Sequence, residues 1–422
     1  MLWFAIHGDW FEAICYDGPR DDEEVKMRTD QPHRPLSIAA VLAVVFATAQ
    51  VCRLAFAACD PDGVQSSGAI FRLCVPETGW NGDLVIFAHG YVAFHEPPGI
   101  PENQLYLPDG SYLPDLVNAL GFAFATTGYS QNGLAVVEGL ADIVELPELF
   151  AAAYGPAGRV YLAGASEGGL ITALAVEKHP EMFAGGLATC GPIGDFRAHV
   201  NYLGDVRVLF DYFFAGVLPG SPVTIPQEVI ADWDSYESQI RAALALAPGR
   251  TLELLRVARV PVANFSEDAV PAIAGVLWYN VHGTNDAAAK LGGRPYENSR
   301  RRYSGSSNDL LLNLRVPRFA AAAPSLGEIM EHYNTSGALK VPLVTLHTLH
   351  DPIVPAWHEI LYSIKTALTG SSANRLNLIV PGSGHCEFTP GEVILAFAAL
   401  VQRVTGQEPQ NLDSVLAGVA EE

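Results

Sequence analysis

Ser166 lies at the centre of a Gly-Ala-Ser-Glu-Gly motif at residues 164–168. The apolar run at residues 160–163 predicts a strand before the motif, and a helical pattern follows it directly. A serine hydroxyl becomes a nucleophile when a tight strand-to-helix turn exposes it and a base can reach it. The two glycines would let neighbouring chain pass close to such a turn. Ser166 is therefore a candidate nucleophile, provided that the chain also supplies an acid, a histidine and oxyanion donors.

Asp351 and His385 are the candidates for the acid and the base, because each follows a predicted strand. Asp351 comes after the predicted strand at residues 341–347, and His385 lies on a glycine-rich loop after the last predicted strand, residues 376–380. An aspartate before proline is more often a turn or cap residue, but a position in register with a serine and a later histidine favours chemistry. Three other histidines compete for the role of base: His347, His350 and His358. They lie on or beside the Asp351 strand, so they suit the neighbourhood of the acid better than the position of the base.

The predicted reaction is acyl transfer to serine. Ser166 would attack a carbonyl carbon, His385 would move the proton, and Asp351 would fix the imidazole tautomer and stabilise its cation. The oxyanion would be held by two backbone N–H groups, from Glu167 directly after the nucleophile and from Tyr91 after an earlier predicted strand. The directions of the Tyr91 and Glu167 side chains stay open.

Strands and helices alternate along most of the chain. Apolar runs predict strands at residues 69–75, 83–88, 122–126, 160–163, 185–190, 341–347 and 376–380, and the first of these is predicted to pair with a further strand in an entry hairpin over residues 58–80. Helical patterns lie between them, and one of these, at residues 136–154, contains Pro147, which either kinks the helix or divides it in two. This alternation predicts an α/β fold, with a mostly parallel sheet covered by helices on both faces.

The alternation stops after residue 192 and resumes near residue 339. The block at residues 193–338 is helical in pattern, with aromatic clusters at residues 210–214 and 278–279. Such clusters are typical of helix packing, and any that face the cleft would line an apolar acyl or aromatic pocket. We therefore predict a sheet domain from residues 58–192 and 339–406, a helical cap at residues 193–338, and a loosely held tail at residues 407–422.

Composition narrows the possible partners. The formal net charge of −21 argues against nucleic acid or an anionic membrane surface as a partner. His347 and His350 are spaced for a metal but lack the acidic residue and third ligand that a zinc site needs. No cofactor is predicted, and the expected partner is a small ester with a neutral, aromatic or acyl character.

The N-terminal residues predict export. Residues 1–57 contain a basic stretch after Met27, an apolar run at residues 38–47 and a small-x-small triplet ending at Ala57. This order is typical of a signal peptide that starts at Met27, is cleaved near Ala57 and leaves no stable membrane anchor in a secreted or periplasmic protein. The remaining cysteines are Cys59, Cys74, Cys190 and Cys386, and an even number suggests two disulfides with three possible connectivities. Cys59 and Cys74 flank a short turn and are expected to pair locally.

The combined motifs resemble the α/β-hydrolase superfamily from about residue 66 to residue 404. The matching positions are His89-Gly90, the motif at residues 164–169, Asp351 with Pro355, and Gly384-His385. The resemblance implies serine hydrolysis and a lid inserted between the sixth and seventh strands, where the helical block stands. His385-Cys386 is also similar to half of the tannase and feruloyl esterase pattern. In that pattern a cysteine precedes the serine, whereas here Ala165 does, so Cys190 is a candidate replacement partner for Cys386.

These predictions favour a secreted serine hydrolase that cleaves carboxylic esters through an acyl-serine intermediate. A serine peptidase or aminopeptidase of the same fold is the first alternative, since the two activities differ in the leaving group and in how the cap would recognise an amine. A non-catalytic binding protein on this scaffold is a more remote alternative, because no triad position is missing.

Overall fold

The computed structural model describes residues 58–420, so the predicted signal peptide lies outside the described residues. Within this range nine strands form one sheet. The strands are β1 (Ala58–Cys59), β2 (Gly63–Val64), β3 (Ile70–Val75), β4 (Leu84–Ala88), β5 (Ala123–Thr127), β6 (Val160–Ala165), β7 (Gly185–Thr189), β8 (Leu343–His350) and β9 (Arg375–Ser383). Every residue of β4, β5 and β7 is buried, as expected of strands covered on both faces.

The strand order brings the ends of distant segments to one edge of the sheet. The order is β1-β3-β5-β4-β6-β7-β8-β9, and β2 pairs with β3. β3 runs antiparallel to β5. The pairs that follow in this order, from β5-β4 to β8-β9, are all parallel. Parallel strands need crossover connections, and these are largely helical here. The carboxyl ends of β4, β6, β7, β8 and β9 therefore meet at the same edge.

Helices cover both faces of this sheet. The helices are α1 (Leu113–Ala119), α2 (Val136–Tyr154), α3 (Glu167–Lys178), α4 (Phe196–Phe213), α5 (Gln227–Ala231), α6 (Trp233–Leu246), α7 (Pro248–Ala258), α8 (Phe265–Lys290), α9 (Asp309–Arg315), α10 (Ala323–Glu328), α11 (Trp357–Leu368), α12 (Pro390–Thr405) and α13 (Leu412–Ala420). On one face Leu84, Ile86 and Leu162 pack with α2 and α3. On the other face Val85 and Tyr161 pack with α1 and α12.

The segment between β7 and β8, residues 190–342, is called the helical insertion below. It contains α4 to α10, and residues from α4, α6, α7 and α8 form a hydrophobic cluster of their own. Ile353 and Val354, just after Asp351, belong to the same cluster. The insertion therefore has its own core and also packs against the loop that carries Asp351.

Three details of the predictions can be compared with the structure. The first arm of the hairpin predicted at residues 58–80 consists of two short strands, β1 and β2. The structure therefore has one more strand than predicted, and the insertion expected between the sixth and seventh strands lies between β7 and β8. Pro147 lies inside a single helix, α2. The prediction of a loosely held tail was wrong for residues 412–420, which form α13 and bury Leu412 and Val415 against α12. Among residues 58–420, no helix has the length and apolarity that a membrane span requires.

Candidate active site

Ser166 occupies the tight turn between β6 and α3. Its φ of 56° and ψ of −116° lie in a region that residues with a Cβ rarely adopt. Its N–H donates to the carbonyl of Thr189 on β7, at 2.9 Å. A Cβ at Gly164 would lie 2.2 Å from the oxygen of Gly168, and one at Gly168 would lie 2.0 Å from the oxygen of Ala88. Only glycine fits either position, and the strained turn lifts the Ser166 hydroxyl above the end of the sheet.

The side chains of Ser166, His385 and Asp351 form a hydrogen-bonded chain. Nε2 of His385 lies 2.8 Å from Oγ of Ser166, and Nδ1 lies 2.7 Å from Oδ2 of Asp351. The Asp351 side chain is fully buried, and its Oδ1 accepts hydrogen bonds from the N–H groups of Ile353 and Val354 at 2.8 and 2.9 Å. Because the carboxylate is an acceptor, it favours the proton on Nδ1 and leaves Nε2 free to receive the serine proton.

A buried histidine on β8, His347, also lies next to the Asp351 side chain. Nε2 of His347 is 2.6 Å from the carbonyl oxygen of Val354 and 3.6 Å from Oδ2 of Asp351. Its Nδ1 is 3.3 Å from Glu359, which also accepts from the hydroxyl of Thr345 at 2.6 Å. Burial by itself lowers the pKa of His347, but the hydrogen bond to Glu359 and the two nearby carboxylates outweigh it and raise that pKa above its ordinary value. This chain ties the Asp351 loop to α11.

Tyr91 and Glu167, whose N–H groups are the predicted oxyanion donors, line one cavity together with Ser166. Within residues 58–420, neither the N–H of Tyr91 nor that of Glu167 donates to another group of the protein. The loop after β4 is held by Gln104, whose Oε1 accepts from the N–H of Gly90 at 2.7 Å and whose Nε2 donates to the oxygen of Tyr91 at 3.3 Å. A Cβ on Gly90 would lie 3.2 Å from the Cβ of Ser166, so this loop and the serine are adjacent.

The Glu167 side chain is buried beside Ser166. Its Oε1 accepts a hydrogen bond from the N–H of Ala135 at 2.9 Å. Burial raises the pKa of Glu167 to about 8, and the hydrogen bond from Ala135 offsets only part of that rise. At neutral pH the group is therefore mostly uncharged, which suits a position among apolar side chains.

Two cavities meet at Ser166. The larger, about 660 Å³, lies between the sheet and helices α1 and α12 and is lined by His385. The smaller, about 120 Å³, lies between Glu167 and helices α4 and α8 of the insertion. Both are bounded by Tyr91, Ser166 and Tyr279. The Tyr279 ring centroid is 6.2 Å from that of His385, so one residue of the predicted aromatic cluster at residues 278–279 faces the cleft, whereas Phe210, Phe213 and Phe214 lie in the core of the insertion.

Both disulfides lie within the described residues. Cys59 pairs with Cys74 across the register of β1 and β3, and Cys190 pairs with Cys386, the residue after His385. Cys386 and Cys190 thus join the loop after β9 to the end of β7. Their sulfur atoms and a ring nitrogen of His385 lie within 4.8 Å of one another. Sulfurs joined in a disulfide offer no thiolate, so this group is not equipped to bind a metal.

Two of the other candidate histidines, His347 and His358, take structural places, whereas His350 ends β8 and lines a further cavity beside His385. His358 accepts at Nδ1 from the N–H of Gly194 at 3.0 Å, and His347 supports Asp351 as described above. Sequence reasoning missed the roles of Gln104 and of the His347–Glu359 pair, because each contact joins side chains whose motifs carry no signal. It also missed two polar side chains, His199 and Asn280, that line the smaller cavity.

One protein-family model matches part of the sequence. Residues 118–201, which include the strand, turn and helix around Ser166, match the prolyl oligopeptidase family, Peptidase_S9. No curated protein gives a significant match to the sequence. The sheet order and the turn at Ser166 are those of the α/β-hydrolase fold, and the family match covers the part of the chain around that turn.

Solved structures show only distant similarity. Acylaminoacyl peptidase from Pyrococcus horikoshii is 12% identical, with a TM-score of 0.44 over 88% of this chain and 46% of its own. Lipase A from Candida antarctica is 15% identical, with a TM-score of 0.47 over 88% and 87% of the two chains. An esterase from Aspergillus oryzae is 16% identical, with a TM-score of 0.43 over 82% and 79%. The chain spans less than half the length of the acylaminoacyl peptidases, and the fold assignment does not depend on these neighbours.

Proposed function

We propose that the protein is a serine hydrolase that cleaves carboxylic esters, with Ser166 as nucleophile, His385 as general base and acid, and Asp351 as the group that orients the histidine. The observation that carries the proposal is the hydrogen-bonded chain from Ser166 through His385 to buried Asp351, at 2.8 and 2.7 Å. A serine in such a chain can lose its proton as it bonds to carbon.

The proposed reaction has two halves. Oγ of Ser166 bonds to the carbonyl carbon while its proton passes to Nε2 of His385, and the carbonyl π electrons move to oxygen. The N–H groups of Tyr91 and Glu167 hydrogen-bond this oxyanion. The tetrahedral intermediate then collapses, the C–O bond to the alcohol breaks, and His385 returns the proton to the departing alkoxide oxygen. Water, deprotonated by His385, attacks the acyl-serine in the same way. The bond between the acyl carbon and Oγ then breaks, His385 returns the proton to Ser166, and the acid is released.

The lining of the cavities favours esters over peptides. Apolar and aromatic side chains, including Leu116, Phe388 and Phe397, form most of the larger cavity, which suits an uncharged group of considerable size. One observation favours a peptidase instead: the match of residues 118–201 to a peptidase family. Glu167, which lines the smaller cavity with Ser166, is an acidic group that an aminopeptidase could use for a substrate ammonium, and its raised pKa weakens that role at neutral pH.

We also propose that the protein is exported and that a cap domain covers a sheet domain. Two disulfides in the described residues are typical of an exported protein and support secretion or a periplasmic location. The separate hydrophobic core of the insertion supports a cap domain at residues 193–338 over a sheet domain. N-terminal sequencing of protein recovered outside the cell tests the export proposal, which predicts a mature chain that begins near Ala58.

The enzymatic proposal is tested with p-nitrophenyl esters and aminoacyl p-nitroanilides as parallel substrates. Wild type should hydrolyse esters faster than anilides and should react with a fluorophosphonate probe, whereas Ser166→Ala should do neither. Ser414→Ala, on the exposed face of α13, is the matched control and should behave as wild type. Faster turnover of the anilides would favour the peptidase. A wild type with no Ser166-dependent turnover or labelling would favour a binding protein on this scaffold.

A further inference from the structure

The smaller cavity is built by one face of each of two insertion helices. From α4 it is lined at helical spacing by Phe196, His199, Val200, Leu203 and Gly204. From α8 it is lined by Tyr279, Asn280, Gly283, Thr284 and Ala287. Glu167 and Leu170 of α3 complete the wall beside Ser166. The cavity is therefore a feature of how the insertion packs over the nucleophile.

Two polar groups in this cavity have atoms without partners. His199 is 7% exposed, and its Nδ1 has no hydrogen-bond partner within residues 58–420. Asn280 is 4% exposed; its Nδ2 donates to Oγ1 of Thr284 at 3.1 Å, while its Oδ1 has no partner in the same part of the chain. Native proteins rarely leave such buried atoms unpaired, because each loses its bonds to water on folding. Both atoms are buried beneath the cavity wall, so a ligand would supply the missing partners once each side chain turned slightly toward the cavity.

The chemistry of these groups selects a neutral ligand. Burial lowers the pKa of His199 to about 3, with a smaller contribution from His385, so the imidazole is neutral at working pH and offers one N–H donor and one acceptor nitrogen. Asn280 offers its Oδ1 as an acceptor. A hydroxyl group both donates and accepts one hydrogen bond, and it matches this pair without bringing a charge into an apolar cavity.

The position of His385 decides which half of the ester enters which cavity. The leaving alcohol must receive its proton from Nε2 of His385, so its oxygen has to lie on the side of that histidine. His385 lines the larger cavity and does not line the smaller one. The alcohol therefore extends into the larger cavity, and the acyl group extends from the carbonyl carbon into the smaller one.

We propose that the cavity between α4 and α8 binds the acyl group of the substrate and that His199 and Asn280 hydrogen-bond a hydroxyl group on it. The substrate class is then an ester of a hydroxy acid with a bulky apolar alcohol. This inference rests on the proposed function and refines it.

The hydroxyl preference is tested with p-nitrophenyl 3-hydroxybutyrate and p-nitrophenyl butyrate, which share a leaving group. Wild type should prefer the hydroxy ester by about 10-fold in kcat/KM, and His199→Leu and Asn280→Leu should each reduce that ratio by about 3- to 10-fold. His95→Leu, an exposed histidine outside the cavity, is the control and should keep the wild-type ratio. Fluorophosphonate labelling of Ser166 in every variant shows that each is folded with a working nucleophile.

Three outcomes would overturn this inference in different ways. Equal turnover of the two esters by wild type would contradict the recognition of a hydroxyl group while leaving the proposed function intact. Preference for a p-nitrophenyl hemisuccinate would replace the hydroxyl by a carboxylate, with Arg294 at the cavity as its partner. Absence of any Ser166-dependent hydrolysis would overturn the inference together with the proposed function.

A steric pair tests the assignment of the two cavities. A Cβ at Gly283 meets only the Tyr91 hydroxyl, at 3.9 Å, so Gly283→Leu should fill the smaller cavity without a backbone clash. It should slow butyrate esters relative to acetate esters by about 10-fold or more. Val117→Phe narrows the larger cavity and should instead discriminate between naphthyl and methyl acetates. The reverse pattern would place the acyl group in the larger cavity and overturn the assignment.

Discussion

The edge of the sheet and the helical insertion contribute to the candidate site in different ways. Each triad side chain follows a strand: Ser166 comes after β6, Asp351 after β8 and His385 after β9. The insertion supplies none of the three, yet its residues, those of α4 and α8 among them, form most of the lining of the smaller cavity. The register of a buried sheet fixes which backbone positions lie side by side, whereas the exposed faces of helices packed on a core of their own can vary. We infer that the sheet determines the reaction and that the insertion determines the substrate.

The two regions also differ in how their polar groups are satisfied. Both oxygens of Asp351 have hydrogen-bond partners, and both nitrogens of His385 face a partner within 2.8 Å. His199 and Asn280 in the insertion each keep a buried atom without one. A fully bonded group is held in place before substrate arrives, whereas an unpaired group is completed by the ligand.

The largest effect is expected at the base. His385→Ala should lower kcat/KM by about 10⁴-fold or more for all ester substrates, because Ser166 then has no group to take its proton. Initial rates with acetate, butyrate and hydroxybutyrate esters measure the loss. A loss that differs by more than about 10-fold among these acyl groups would contradict the division between a sheet that performs the reaction and an insertion that selects the substrate.

Asp351→Asn should come next, with a loss of about 10³- to 10⁴-fold. The amide can present an N–H to Nδ1 of His385, which favours the tautomer whose Nε2 cannot accept a proton. Circular dichroism should show an intact fold, since the isosteric amide keeps the acceptor for the N–H groups of Ile353 and Val354. Glu408→Gln, another carboxyl-to-amide change, is the matched control, and a rate within 10-fold of wild type for Asp351→Asn would remove Asp351 from the mechanism.

The two disulfides offer a matched pair. Removing Cys190–Cys386 by a double change to serine should lower the free energy of unfolding by about 2–5 kcal/mol and should also lower kcat, because Cys386 adjoins His385. Removing Cys59–Cys74 in the same way should cost stability alone, since β1 lies at the far edge of the sheet. Urea unfolding and ester kinetics on both variants separate the two effects. Equal kcat values would argue that the loop holding His385 is positioned without its disulfide.

A smaller effect is expected from the pH dependence of stability. Glu167 has a pKa of about 8 in the folded protein against an ordinary value of 4.5, so unfolding releases a proton between these two values. The stabilisation from the neutral carboxyl is complete below pH 4.5 and is lost as the pH rises through about 8. Glu167→Gln cannot ionise, so its urea midpoint should fall less than that of wild type between pH 5 and 8.5.

The control for this comparison is Glu77→Gln, at an exposed position, which should follow the wild-type pH dependence. If Glu167→Gln and wild type lose stability in parallel over the same pH range, Glu167 is already ionised in the folded protein. That result would also make it available to a substrate ammonium and would strengthen the peptidase alternative.

Local patterns in the chain were enough to predict most of the fold. The predicted strands at residues 83–88 and 122–126 differ by a residue from β4 and β5, because long apolar runs bounded by turns carry strong signals. The order of the three triad residues and their places after strands could also be predicted. Whether Pro147 divides its helix stayed open, and the helix after residue 411 was not predicted, because packing against the sheet and against α12 overrides weak local preferences.

Residue order alone thus determined the strand-helix alternation, the break at the insertion and the identity of the three side chains. Tertiary structure decided whether they meet. Ser166 and His385 are 219 positions apart, and the contact between them depends on the register of four neighbouring strands. The same holds for the pairing of Cys190 with Cys386, the His347–Glu359 support and the cavity lined by His199 and Asn280. Periodicity and turn chemistry act over a few residues, whereas distances between remote side chains arise only when the strands and helices pack.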